Sequence, residues 1–98
     1  MTISTEKKGT EVTLHISGRL DTITAPELEK AINAMPEDAK ELTLDMAEVT
    51  YISSAGLRVL LGAQKKMNKL GAMKLTGVCE AVMEVLEITG FADILTIA

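Results

Sequence analysis

The 98-residue chain has one cysteine, one histidine, two prolines, no tryptophan and only two aromatic rings. Each scarcity excludes something. A lone Cys79 cannot form an internal disulfide, so a reducing, cytoplasmic setting is expected. One histidine and one cysteine cannot assemble the usual zinc ligand set, and no metal or cofactor is expected. Tyr51 and Phe91 offer little surface for stacking on bases, and a formal charge of −4 disfavours the phosphate backbone, so nucleic acid is not an expected partner. The longest apolar stretch, Gly56 to Ala63, is interrupted by Arg58 and too short to span a bilayer. The first twenty residues alternate polar and apolar without a continuous hydrophobic region, so neither a signal peptide nor a membrane association is expected.

What is present is an aliphatic core in waiting. Apolar residues make up 47% and charged residues 24%, which suits a folded domain and not a disordered chain. The length suits a single domain over residues 1–98.

Thr2 to Thr5 reads as a short strand, and Glu6 to Thr10 as a turn. Val12, Leu14 and Ile16 then alternate with Thr13, His15 and Ser17, the pattern of a strand with one wet face that forms a hairpin with the first. Thr24, Pro26 and Glu27 predict a capped helix start, Leu28, Ala31, Ile32 and Met35 its buried stripe, and Pro36 its end. Glu41 to Met46 reads as a strand and Ala47 to Ile52 as a loop.

A long helix follows from about Ala55 to Leu70, apolar nearly all round in its first half, basic at Lys65, Lys66 and Lys69, and stopped by Gly71. Met73 to Thr76 is a strand, Glu80 to Thr89 a helix closed at Gly90, and Ile94 to Ile97 a last short strand. The order predicts an α/β fold: a mixed, mostly parallel sheet with an N-terminal hairpin and three or more helices packed mainly on one face.

Catalysis finds little support. His15 falls on the wet side of its strand and reads as a surface residue without a carboxylate partner. Cys79 opens a helix, but nothing near it in sequence makes it a nucleophile. No Gly-Lys-Ser/Thr follows Gly77, so there is no phosphate-binding loop. The carboxylates are scattered over solvated faces, and the six methionines fall mostly at core spacing. The expectation is a protein that is not an enzyme.

Ser53 and Ser54 stand out. They lie where a strand-like segment gives way to an apolar helix, and a helix start leaves N–H groups unpaired and carries partial positive charge. A serine there can be a plain N-cap, worth about 1 kcal/mol. It can also carry a phosphate, which such a helix end accommodates. Ala55 and Gly56 leave little bulk over the hydroxyls. A glycine in the first turn costs about 1 kcal/mol against alanine, and a close backbone approach would account for it.

These segments together resemble the STAS domain, in particular the stand-alone anti-sigma factor antagonists of bacteria. Ile16-Ser17-Gly18-Arg19-Leu20-Asp21 resembles the family's Gly-x-Leu-Asp turn, and Leu42-Thr43-Leu44-Asp45 its third strand. Tyr51 to Leu61 is similar to its Asp-Ser-Ser/Thr/Ala-Gly-Leu signature, and Gly90-Phe91 to its C-terminal Gly-Leu/Phe. Ser54 then matches the phosphorylatable serine, while Ser53 stands where the family commonly has aspartate and is a competing acceptor.

The resemblance implies a STAS fold and a partner switch. The unphosphorylated protein binds an anti-sigma factor that is also a serine protein kinase, and the sigma factor is freed. Phosphorylation of Ser54 ends the interaction, and a serine phosphatase restores it. Asp21, Thr22, Ser53, Ser54, Ala55 and Gly56 are the expected partner-binding residues. A STAS scaffold or transporter-accessory protein, binding a partner without a phosphorylation cycle, is the alternative.

Overall fold

The computed structural model describes all of residues 1–98. Strand β1 (Thr2–Lys8) turns at Gly9-Thr10 into β2 (Glu11–Leu20), followed by α1 (Ala25–Asn33), β3 (Glu41–Ile52), α2 (Ser54–Leu70), β4 (Ala72–Thr76) and α3 (Glu80–Ile88), with a short 3-10 turn at Phe91–Asp93. The sheet order is β1-β2-β3-β4. The first pair is antiparallel, whereas β2–β3 and β3–β4 are parallel, as the helical crossovers between them require.

Alternation decides which face is dry. Val12, Leu14 and Ile16 of β2, Leu42, Leu44 and Met46 of β3, and Met73 and Leu75 of β4 are all buried. The residues between them, Thr13, His15, Ser17, Thr43, Asp45 and Lys74, are half-buried or exposed. The helices close over the apolar side with Leu28 and Ile32 of α1, Leu57, Leu60, Ala63 and Met67 of α2, and Val82 and Leu86 of α3. Lys66 of α2 donates from Nζ to the carbonyl of Ile32 at 3.1 Å, placing a cation on the negative end of α1.

Four expectations are corrected. Strand β1 runs on to Lys8, because the polar Glu6, Lys7 and Lys8 lie on an outer edge where nothing demands apolar side chains. Residues 47–52 are strand and not loop: β3 continues to Ile52 with two extra residues against β2, one between the pairs His15↔Asp45 and Ser17↔Glu48, one between Gly18↔Val49 and Arg19↔Tyr51. Each insertion breaks the period of two, so the buried positions become Met46, Val49 and Ile52. The last strand shrinks to one parallel bridge, Leu75↔Ile97, because residues 91–93 coil into the 3-10 turn.

Thr24 makes no side-chain cap bond to α1. The Asp21 carboxylate orders the loop ahead of the helix, with Oδ1 accepting from the N–H of Ile23 at 3.0 Å and of Thr24 at 3.1 Å. The Thr24 hydroxyl instead donates to the carbonyl of Arg19 at 2.6 Å. Gly71 ends α2 as expected, but with an extended φ of 168°, so left-handed geometry is not what selects it. A methyl group there would run into the carbonyl oxygen of Lys40, which accepts from the N–H of Ala72 at 2.8 Å.

Candidate functional site

Parallel strands send their C-terminal ends to one edge of the sheet, and there β2 and β3 deliver two chain segments side by side. The N–H of Ser53 donates to the carbonyl of Leu20 at 2.9 Å, tying the start of α2 to the end of β2. Ser53 is the N-cap of α2, with extended φ −103° and ψ 176°. Its carbonyl accepts from the N–H of Leu57 at 2.9 Å, and its Oγ accepts from the N–H of Gly56 at 3.5 Å. Ser54 is the first helical residue; its side chain is exposed and its hydroxyl has no partner within the chain. The two serines are therefore chemically distinct: one is turned back to cap, the other is free.

Gly56 explains its own presence. A Cβ at this position would lie 2.7 Å from Leu20 Cγ, 2.9 Å from Ile52 Cγ1 and 3.0 Å from the Leu20 carbonyl oxygen. The close backbone approach inferred from a glycine in a helical first turn is thus the contact of α2 with β2 and β3. Of the six residues expected at a partner surface, Thr22 and Ser54 are exposed, Asp21, Ser53 and Ala55 half-buried, and Gly56 buried beneath them. Gly56 sets how close the helix sits to the sheet.

Three residues here escaped the sequence. Ile23 is 85% exposed on the loop between Asp21 and Thr24. An aliphatic residue inside a polar turn, off the α1 spacing, was the available signal. Arg19 lies over the Tyr51 ring with Cζ 4.1 Å from the centroid, and its Nε is 3.7 Å from Asp21 Oδ2. The N–H groups of Thr24 and Ile23, with the hydroxyl of Thr24 and the nearby Arg19, hold the Asp21 carboxyl below its ordinary value of 3.8. Asp21 is thus an anion held by its own loop.

His15 differs from the isolated surface residue expected. Its Nδ1 is 2.7 Å from Asp45 Oδ2 and its Nε2 is 2.7 Å from Glu6 Oε1, so one ring joins three strands. The hydrogen bond to Asp45 first, and that to Glu6 second, raise its pKa above the ordinary 6.5. This cluster lies on the wet face of the sheet, around the middle of β2, and not at the serine edge. Cys79 stands at the N-cap position of α3 without a side-chain cap bond, and its Sγ is 3.4 Å from the Val49 carbonyl.

No three His, Cys, Asp or Glu side chains converge where a metal could sit. No helix is long and apolar enough to cross a membrane. Surface concavities are found elsewhere, for example between the ends of α1 and α2 at Pro36 and Lys66, a groove that Ser53 and Ser54 do not line.

The model of the family described as "Mlab, STAS domain" matches residues 3–96. The chain belongs to the STAS-domain family. Among its relatives is the anti-sigma-B factor antagonist of Bacillus subtilis, 28% identical over 97 residues that cover 98% of this chain and 89% of that protein. The anti-sigma-B factor antagonist of Listeria monocytogenes is 31% identical over 94 residues, covering 94% and 82%. Among solved structures, an anti-sigma factor antagonist from Mycobacterium paratuberculosis superposes with a TM-score of 0.88 at 26% identity, over 98% of this chain and 83% of that one. This STAS domain has the sheet and helix arrangement of that solved structure, and its serine edge is where parallel β2 and β3 terminate.

Proposed function

We propose that this STAS domain is an anti-sigma factor antagonist that works as a phosphorylation-controlled binding module in the cytoplasm. In its unphosphorylated form it docks on an anti-sigma factor with serine kinase activity and releases the sigma factor. Transfer of a phosphoryl group to Ser54 ends the complex, and a serine phosphatase resets it. The protein is the substrate of this chemistry and catalyses none of it.

The single observation that carries the reading is Ser54 itself, exposed at the first position of α2 with its hydroxyl unengaged, beside a Ser53 committed to capping. Phosphorylation brings a charge of about −1.5 to −2. An interface fitted to a neutral serine loses affinity when that charge arrives, and about 4 kcal/mol corresponds to about a thousandfold. Thr22, Ile23 and the edge of Ser53 and Ala55 complete the docking surface, and an exposed isoleucine is a natural anchor for it.

The test is incubation with the cognate anti-sigma kinase and ATP, read by intact mass and fragment mapping, with affinity measured for Ser54→Ala and Ser54→Asp. The reading requires one phosphoryl group on Ser54, full binding by the alanine variant and weak binding by the aspartate variant. A partner bound equally by wild type and both variants, with no phosphoryl gain, would instead identify a STAS scaffold or transporter accessory.

A further inference from the structure

A phosphate on the first residue of a helix meets whatever the next turn presents. Ser54 opens α2 and Arg58 stands four residues on, both exposed. Four helical residues rise about 6 Å, and side chains at i and i+4 are neighbours on one face. Arg58 makes no ion pair with any carboxylate of the chain.

The other cation at this edge is already engaged, since Arg19 lies over Tyr51 and beside Asp21. Helix α2 as a whole carries Arg58, Lys65, Lys66 and Lys69 and no carboxylate, so nothing on it repels an added phosphate. The charged groups of neighbouring elements are Arg19 near the end of β2, Asp21 just after it and bound to its own loop, and Glu29 of α1, which lines the groove beside Arg58.

Resting on the reading of Ser54 as phosphoacceptor, we propose that Arg58 is the positioning residue for the phosphate: its guanidinium closes over the phosphoryl oxygens from one turn along the helix. The planar fork of an arginine suits two oxygens of a phosphate monoester at once. The unpaired N–H groups of the first turn add to it. The phosphate is then held against α2 in one place, and the fold persists while the docking surface acquires negative charge.

The experiment uses the full chain with phosphoserine installed at position 54 during translation, titrated by phosphorus NMR. The second ionisation of the phosphate is expected about 0.2–0.4 of a pH unit lower in wild type than in Arg58→Gln, the scale of an i, i+4 charge pair. Arg58→Lys is expected to recover part of the shift, and Lys65→Gln and Arg19→Gln to leave it unchanged. Identical titrations of wild type and Arg58→Gln, or a shift that follows Arg19, would overturn the assignment. Because translation supplies the phosphate, this result is independent of any kinase; failure of a kinase to modify Ser54 strikes the switch and not the clamp.

Discussion

Leu20 fills the space that a side chain at position 56 would need: its Cγ lies 2.7 Å from where the first carbon of that side chain would stand. The start of α2 is therefore seated directly on the end of β2, and the position of Ser54 is set by packing two residues away. Gly56→Ala must push either Leu20 or the helix aside. A loss of roughly 1–3 kcal/mol is expected, the usual cost of overfilling a packed site. Urea unfolding measures it. In combination with Leu20→Ala the penalty should be less than the sum of the two, since the second change relieves the nearest of the three contacts and leaves those with Ile52 and the Leu20 carbonyl.

Ser53 and Ser54 are separable by mutation. Ser53→Ala removes the cap and should cost about 0.5–1 kcal/mol, while Ser53→Asp should regain it, because a carboxylate caps as well and suits the positive helix end. Neither change touches the Ser54 hydroxyl, so Ser53→Ala should still gain one phosphoryl group by intact mass. Loss of that gain in Ser53→Ala, with retention in Ser54→Ala, would transfer the acceptor role to Ser53.

The His15 cluster predicts a pH dependence with a definite sign. Asp45 and Glu6 raise the His15 pKa above 6.5, so the stabilisation is complete below that value and is lost as pH rises through the higher folded-state value. Asp45 moves the other way: His15 first, then the Ala47 N–H, lower it below 3.8, and its contribution is lost as pH falls through the lowered value. A neutral imidazole has one N–H and cannot donate to both carboxylates. Thermal midpoints should thus decline as the pH is raised past the His15 titration, and His15→Gln should flatten that limb. A wild-type profile as flat as the variant's would show that the pair contributes nothing to the fold.

Gly71 predicts a larger effect at a place remote from the serine edge. Alanine there would collide with the Lys40 carbonyl, main chain that cannot rotate away as a side chain can. A destabilisation of about 3 kcal/mol or more is expected from such a backbone clash, with the turn from α2 into β4 displaced. Urea unfolding of Gly71→Ala against Gly62→Ala checks it, since nothing lies within 4 Å of a methyl at position 62.

The elements most legible in the sequence are those whose period a single face controls. Val12-Leu14-Ile16 and Leu42-Leu44-Met46 alternate because one side of the sheet is dry, and α1 and α2 declare themselves through stripes that meet it. Legibility fails where the geometry changes within an element. The second half of β3 looks like a loop because its two inserted residues move the buried positions to Met46, Val49 and Ile52, a spacing of three that resembles neither regular period.

The site was legible in one respect and opaque in another. A hydroxyl at a strand-to-helix junction followed by Ala-Gly is visible as letters, and so is the reason for Gly56. The partners of His15 are not, because Glu6 and Asp45 are 9 and 30 residues distant and meet it only through strand register. The role of Asp21 in the loop before α1 was hidden for a related reason: Asp21 and Thr24 are both good capping residues, and only the turn between them brings the N–H groups of Ile23 and Thr24 onto the Asp21 carboxylate.

The single rung at Leu75 covers part of an otherwise open edge of the sheet. Leu75 gives its N–H to Thr96 and takes one from Ala98, each at 2.9 Å, so the middle of the outermost parallel strand is occupied by the chain's own tail. Shortening the tail by a few residues would leave those groups open to a foreign strand, and one side of the molecule would become adhesive without any change at its serines.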